Sequence, residues 1–284
     1  MKPQLSVVIP VTKMAGRLEN VKRFLKESRI FSAKIEIFIV HDIQDKETSI
    51  ELKEILGDDK NVILIEDYFG SPGTTRNAGL ERATGKWLVF WDSDDLPDIK
   101  ETIQILEADL GDVECIICGF KKLNTLNGNI NNAQKVTAVT DLAKDLGIWR
   151  IIFARESIGD LKFSNLRMAE DQLFILRYQI EIRKIRFEPE AYIYTYFQNL
   201  NFQATSNQVS INDLPRFLKF ISFANYYEEK SPLYLMILSK QSFSALKLCS
   251  KSHKPVIAYE IFKNIGMNPL AFLFGLFKYF RLAH

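Results

Sequence analysis

Three carboxylates at the end of an apolar run are the residues of this sequence best suited to chemistry. An uninterrupted apolar run over residues 87–91 leads directly into Asp92-Ser93-Asp94-Asp95. Acids this close repel one another unless a cation or hydrogen-bond donors lie among them, and their hard oxygen atoms suit Mg²⁺ or Mn²⁺. We therefore predict a metal-phosphate site with Asp92 and Asp94 as ligands. The alternative is an acidic turn that caps the following helix.

Two more polar residues are expected at the same edge of the predicted sheet. Asp42 follows another predicted strand, and Arg76 lies one turn into a helix predicted over 74–83. A guanidinium fork suits phosphate or a nucleobase. The alternatives are an ordinary acid at a strand end and a solvated arginine on an exposed helix face.

A pair of acids, Glu170-Asp171, begins a helix predicted over 170–180. The helix dipole favours acids in the first turn by about 0.3–1 kcal/mol, so stability alone explains the pair. An acid held rigidly at a helix N-terminus could also act as a general base at a substrate cleft. Both interpretations remain open from the residues alone.

The elements that position these residues alternate between strand and helix, which is typical of a parallel sheet covered by helices. We predict strands over 5–10, 35–40, 61–65, 87–91, 113–119, 148–154 and 192–197. We predict helices over 17–28, 46–56, 74–83, 98–109 and 170–180, and helices alone beyond about 210. The carboxyl ends of parallel strands share one edge, where open α/β sheets bind ligands.

Composition indicates a packed α/β protein with a helical C-terminal part. The 284 residues are 47% hydrophobic and 12% aromatic, which suffices for a core. We predict a catalytic domain over 1–210 and a helical extension over 211–284. The domain has 27 basic and 31 acidic side chains and the extension ten and four, so we expect the extension to face an anionic partner. The net charge of +2 gives no reason to expect nucleic-acid binding.

Several common kinds of site are not supported. Cys115 and Cys118 have CxxC spacing but lie in a predicted strand, where residues three apart point to opposite faces. The sequence has no GxGxxG, residues 79–87 lack the phosphate-loop spacing, and three histidines do not suggest a zinc site or triad. The chain leads directly into a strand, so we expect a reduced cytoplasmic protein without a signal peptide.

Taken in order, these motifs resemble the inverting family-2 glycosyltransferases of the GT-A fold, over about residues 4–200. The matching segments are residues 6–10, His41-Asp42, Arg76-Asn77-Ala78-Gly79, Asp92-Ser93-Asp94-Asp95, Trp149-Arg150 and Glu170-Asp171. The resemblance implies a mostly parallel sheet flanked by helices. One departure is Ile43-Gln44, which stands where the family usually has Gly-Ser, so the loop near the nucleobase is not the standard one.

The resemblance also implies a nucleotide-sugar donor, most often a UDP-sugar. Pro10 and Val11 would line the base pocket, and Asp42 would contact the base. Arg76 would help hold the nucleotide.

A divalent cofactor, Mn²⁺ or Mg²⁺, is implied as well. Asp94 would bind the metal that bridges the diphosphate, and Asp92, the second predicted ligand, would approach the ribose. Ser93 belongs to the same donor-binding set. The metal would stabilise the leaving diphosphate.

On the acceptor side, the resemblance makes Asp171 the catalytic base, which would deprotonate an acceptor hydroxyl. Trp149 and Glu170 would line the acceptor side. The implied acceptor is a glycan or a lipid-linked glycan in the synthesis of a bacterial surface polysaccharide. The alternatives are a sugar nucleotidyltransferase, which would need more glycine in residues 11–17, and a non-catalytic nucleotide-sugar-binding subunit.

The C-terminal segment is basic and rich in aromatic residues, and Asn268-Pro269 predicts a helix start. Its uncharged run over 264–277 is shorter than the ~20 residues that span a bilayer. A helix over 268–284 could lie in a membrane interface, which would make the protein peripheral at the inner face. It could equally pack on the catalytic domain or form a homodimer.

Overall fold

One mixed β-sheet organises the part of the chain that the computed structural model describes. That part comprises residues 2–43, 46–57, 59–132, 135–198, 211–224, 231–267, 273 and 277. The strands are β1 (Leu5–Val11), β2 (Ile35–Asp42), β3 (Val62–Asp67), β4 (Trp87–Phe90), β5 (Leu96–Pro97), β6 (Cys115–Asn124), β7 (Ile130–Asn132), β8 (Ile151–Ala154) and β9 (Ile185–Gln198). Their order is β3-β2-β1-β4-β8-β6-β9-β5, with β7 paired to β6.

The parallel half of the sheet consists of β3, β2, β1 and β4. The near-continuous apolar runs of β1, β2 and β4 suit strands that are covered on both faces, whereas β3 at the edge of the sheet is only partly buried. The chain leaves β1 for β2 on one side and returns to β4 on the other, so the strand order reverses between β1 and β4. Ligands of open α/β sheets bind at the carboxyl ends of the strands at such a reversal.

The other half of the sheet is mixed. Strand β8 is antiparallel to both β4 and β6, and β9 is parallel to β6. The strand predicted over 192–197 is the second half of the longer β9. Residues 125–129 connect β6 to β7, which pair antiparallel.

Helices α1 (Leu18–Ser28), α2 (Lys46–Leu56), α3 (Pro72–Leu80) and α4 (Ile99–Leu106) follow successive strands, and a short α5 (Arg155–Ile158) follows β8. Helix α3 begins at Pro72 because Ser71 caps it, with the Thr74 amide donating to the Ser71 Oγ at 3.3 Å. Its Gly79 permits close packing on β1, since a Cβ there would lie 2.5 Å from Val8 Cγ1. This contact fixes the helix that carries Arg76.

The remaining described helices are α6 (Glu170–Arg177), α7 (Leu214–Ala224), α8 (Pro232–Leu248) and α9 (Lys254–Met267). Helix α9 is an addition to the predicted elements. The helix predicted from Asn268 lies outside the described residues, except for Leu273 and Phe277, which are helical and exposed. Among the residues that the structure describes, no helix is long and apolar enough to cross a bilayer.

Two compact units divide these elements. Unit 1 comprises residues 1–136, 148–162 and 183–200, and unit 2 comprises residues 137–147, 163–182 and 201–284. The sheet and α1–α5 belong to unit 1, and α6–α9 belong to unit 2. The functional boundary at residue 210 stays a prediction.

Candidate functional site

The three carboxylates that follow β4 lie together at the carboxyl edge of the sheet in unit 1. One oxygen atom from each of Asp92, Asp94 and Asp95 lies within 4.8 Å of the others. Hard oxygen donors in this number fit Mg²⁺ or Mn²⁺, which bind a few carboxylates and complete their shell with water and phosphate. The residues present therefore suit the expected cofactor.

A buried arginine on α3 balances the first of these acids. Arg76 donates through Nη2 to Asp92 Oδ1 at 2.6 Å, a charge-assisted hydrogen bond. Only 4% of Arg76 is exposed, so the interpretation as a solvated arginine is wrong. The structure brings Arg76, Asp92 and Asp94 together as the sequence suggests.

Residues at the start of α1 contact the second acid, Asp94. The Asn20 side chain donates to the backbone carbonyl of Asp94 at 3.1 Å, and Arg17 Nη2 lies 4.0 Å from Asp94 Oδ2. Burial raises the pKa of the Asp94 carboxyl, and the negative charge of Asp92 adds to the rise. Sequence reasoning did not identify Arg17 or Asn20. The sequence feature that could have identified Arg17 is an arginine at the start of the helix that follows β1.

The third acid has a positioning role. Asp95 is 3% exposed and accepts hydrogen bonds from the Tyr194 hydroxyl at 2.8 Å and the Phe197 amide at 2.7 Å. Burial raises the pKa of Asp95 well above its usual value, and the charges of Asp94 and Asp92 raise it further. The Tyr194 hydroxyl also accepts from the Asp92 amide at 3.1 Å. Strand β9 thus fastens both ends of the Asp92–Asp95 turn.

An aromatic stack supports Tyr194 from behind. The Trp149 and Tyr194 rings are parallel, with centroids 4.7 Å apart, and Phe120 packs edge-on against Trp149 at 4.3 Å. The Trp149 carbonyl accepts from Trp91 Nε1 at 3.1 Å. Trp149 is buried in this stack, so its observed contacts hold the carboxylate turn, and its acceptor-side role stays a prediction.

Asp42 orders the loop that leads into α3. Its carboxylate accepts hydrogen bonds from the amides of Phe69 at 2.7 Å and Gly70 at 3.1 Å. A carboxylate has about four acceptor positions, so these bonds do not use its full capacity. Pro10 is partly buried at the end of β1, and Val11 is buried in the core. The nucleobase roles of these residues stay predictions, as does the donor role of the buried Ser93.

Glu170 and Asp171 lie in unit 2, in the first turn of α6. The Asp171 carboxylate accepts from the Gln172 amide at 2.8 Å, and Glu170 is buried. The preceding Ala169 has φ 62° and ψ 17°, a left-handed conformation. This geometry costs a non-glycine residue about 1 kcal/mol, and such strain clusters at functional sites.

We predict that Tyr194→Phe destabilises the fold by about 1–3 kcal/mol, because it removes a donor to the buried Asp95 carboxylate and an acceptor for the Asp92 amide. Urea denaturation of both proteins measures the difference in the free energy of unfolding. The matched control is Tyr68→Phe, since Tyr68 is exposed. A change below 0.5 kcal/mol, roughly the range of ordinary surface substitutions, would contradict this role for Tyr194.

Comparison with known sequences gives a family and two relatives. Residues 6–181 match the family model described as glycosyl transferase family 2. The uncharacterized glycosyltransferase EpsJ of Bacillus subtilis (strain 168) is 24% identical over 224 residues, which cover 71% of this chain and 63% of EpsJ. The poly(ribitol-phosphate) beta-N-acetylglucosaminyltransferase TarS of Staphylococcus aureus (strain Mu50 / ATCC 700699) is 24% identical over 209 residues, covering 67% of this chain and 35% of TarS. The matches thus span less than two thirds of either relative.

Comparison with solved structures identifies the fold. Residues 1–349 of S. aureus TarS in complex with UDP-GlcNAc align with a TM-score of 0.70 at 18% identity, covering 99% of this chain and 89% of that chain. The mannosyltransferase PcManGT of Pyrobaculum calidifontis, in complex with GDP-Man and Mn²⁺, aligns with a TM-score of 0.55 at 14% identity, covering 99% and 88%. The expected α/β fold of GT-A type is confirmed, and the chain belongs to glycosyl transferase family 2.

Proposed function

We propose that this chain transfers a sugar from a nucleotide-sugar donor to an acceptor hydroxyl. The observation that carries the proposal is the carboxylate cluster paired with Arg76, at the strand-order reversal of a family-2 chain. The TarS fragment with the same fold was solved with UDP-GlcNAc bound, which favours a UDP-sugar. Asp42, Pro10 and Val11 would contact the base.

Asp94 and Asp92 would hold the divalent metal, Mn²⁺ or Mg²⁺, with Ser93 beside them. When bound, the metal supplies positive charge to the leaving diphosphate. The charge-assisted bond from Arg76 would hold the Asp92 carboxylate in place for the donor. The Mn²⁺ in the PcManGT complex supports this assignment.

Asp171 would be the general base of an inverting displacement. The acceptor oxygen bonds to the anomeric carbon while the bond from that carbon to the diphosphate breaks, and the hydroxyl proton passes to Asp171. The strained Ala169 immediately before the Glu170-Asp171 pair supports a functional α6 terminus. Glu170 and Trp149 would line the acceptor side.

The acceptor would be a glycan or a lipid-linked glycan of a bacterial surface polysaccharide, met at the inner face of the membrane. Tyr259 and Phe262 of α9 support membrane contact, because they are 64% and 75% exposed. Lys251 and Lys263 flank them and are also exposed. Apolar and basic side chains together favour an anionic bilayer surface. Residues 268–284 would extend this contact, and a homodimer through the same segment is the competing arrangement.

Replacing Asp94 distinguishes this enzyme from the two alternatives. We expect wild type to release UDP from a UDP-sugar in the presence of Mn²⁺ and acceptor, and Asp94→Ala to lose at least about 100-fold in rate because the metal loses a ligand. Chelation of the metal should have the same effect. The exposed Asp160→Ala is the control and should keep full activity.

Several results of that assay would contradict the proposal. Turnover that is independent of both metal and Asp94 would exclude the metal role. Formation of pyrophosphate from UTP and a sugar phosphate would identify a nucleotidyltransferase. Donor binding without any turnover across a panel of acceptors would favour a non-catalytic subunit.

Replacing the base separates binding from transfer. We expect Asp171→Asn to bind the donor with wild-type affinity but to lose about 10²- to 10⁴-fold in transfer rate, the range of general-base contributions. Calorimetry measures the binding, and product formation measures the rate. Asp145→Asn, an aspartate elsewhere in unit 2, is the control. Retained transfer by Asp171→Asn would assign the base to another residue.

Removing residues 268–284 tests the membrane contact. We expect the truncated protein and the double variant Tyr259→Ser/Phe262→Ser each to bind anionic phosphatidylglycerol vesicles less strongly than wild type, because apolar and aromatic area is lost from the interface. Co-sedimentation measures the bound fraction. The exposed Ile30→Ser in unit 1 is the control. Unchanged vesicle binding would contradict the membrane contact, and a change from dimer to monomer on truncation would favour dimerisation over packing on the catalytic domain.

A further inference from the structure

We propose that Arg17 is a binding residue for the diphosphate of the donor, acting from the opposite side of the carboxylate cluster to Arg76. This inference rests on the proposed function, which supplies the diphosphate. It adds a cationic contact on the segment between β1 and α1. No sequence motif pointed to this segment.

The position of Arg17 follows from the topology of the sheet. Arg17 follows β1 and Asp94 follows β4, and the strand order reverses between these two strands. Arg17 Nη2 lies 4.0 Å from Asp94 Oδ2, and the side chain is 14% exposed. Asn20, one turn further along α1, fastens the helix to the Asp94 carbonyl. The guanidinium is thus held at the crevice where a ligand of this sheet would lie.

The residue type at this position is locally unfavourable for the helix. Arg17 is the N-cap of α1 and makes no side-chain capping bond. Caps are usually Ser, Thr, Asp or Asn, and the positive end of the helix dipole disfavours a cation. A cation at a position that helix capping and the helix dipole disfavour points to a requirement elsewhere in the fold. The Arg17 side chain donates through Nη1 to the Lys13 carbonyl at 3.2 Å, and its Nη2 lies beside the carboxylate of Asp94.

The charges around the cluster suit a diphosphate once a metal is present. Two guanidiniums, Arg17 and Arg76, face the three carboxylates, which leaves one net negative formal charge. A divalent cation would change this to one net positive charge. The metal would also take over neutralisation of Asp94, so the guanidinium fork of Arg17 could donate to phosphate oxygens instead.

The test compares ligands with and without the diphosphate. Calorimetry with Mn²⁺ present measures the affinity of wild type and Arg17→Ala for UDP and for uridine, with GDP and guanosine as a second pair. We expect Arg17→Ala to lose about 10- to 100-fold in affinity for the nucleoside diphosphate, the range for one charged hydrogen bond. Affinity for the nucleoside should change less than about twofold. The control is Arg23→Ala, an exposed arginine on the same helix, which should match wild type.

Arg17→Lys keeps the charge without the fork and replaces Arg17→Ala if the latter fails to fold. We expect its affinity for UDP to fall about 3- to 10-fold and its affinity for uridine to stay unchanged. An unchanged UDP affinity in the Arg17 variants, or an equal loss for UDP and uridine, would overturn the assignment. Wild type that binds no nucleoside diphosphate would instead overturn the proposed function together with this inference.

Discussion

Repulsion among the three carboxylates that follow β4 is the constraint on which the site depends. Three acids within 4.8 Å of one another in a partly buried crevice repel one another unless opposing charge or donated hydrogen bonds lie among them. The protein meets this need differently for each acid: Arg76 neutralises Asp92, Arg17 faces Asp94, and Asp95 receives a hydroxyl and an amide. Asp92 and Asp94 are thus the two carboxylates that face a guanidinium.

Rigid elements supply these partners. Arg76 lies on a helix that Gly79 packs tightly against β1, and Tyr194 is a fully buried residue of β9 stacked on Trp149. Because each partner belongs to, or directly precedes, a helix or strand of the same sheet unit, the protein itself holds the carboxylates in place. Such preorganisation makes electrostatic stabilisation effective, since the surroundings need not rearrange when charge develops.

The candidate residues are divided between the two compact units, with the acceptor-side candidate Trp149 in the sheet unit. All donor-side candidates, including Asp42 and Arg76, lie in the sheet unit, whereas Glu170 and Asp171 lie in the helical unit. The family model runs across residues from both, since it covers residues 6–181.

Local patterns determined seven of the nine described strands, most helices and the acidic cluster, because apolar periodicity and strand ends are properties of neighbouring residues. The short strands β5 and β7 were not predicted. The order and spacing of the short motifs also predicted the family. The partners of the acids were decided by tertiary structure: Tyr194 lies 99 residues from Asp95, and Asn20 lies 74 residues from Asp94. Packing of distant elements selects such pairs, and no local spacing encodes them. For that reason the sequence alone does not distinguish Asp95 from the two neighbouring acids, whereas in the fold its carboxylate anchors the turn.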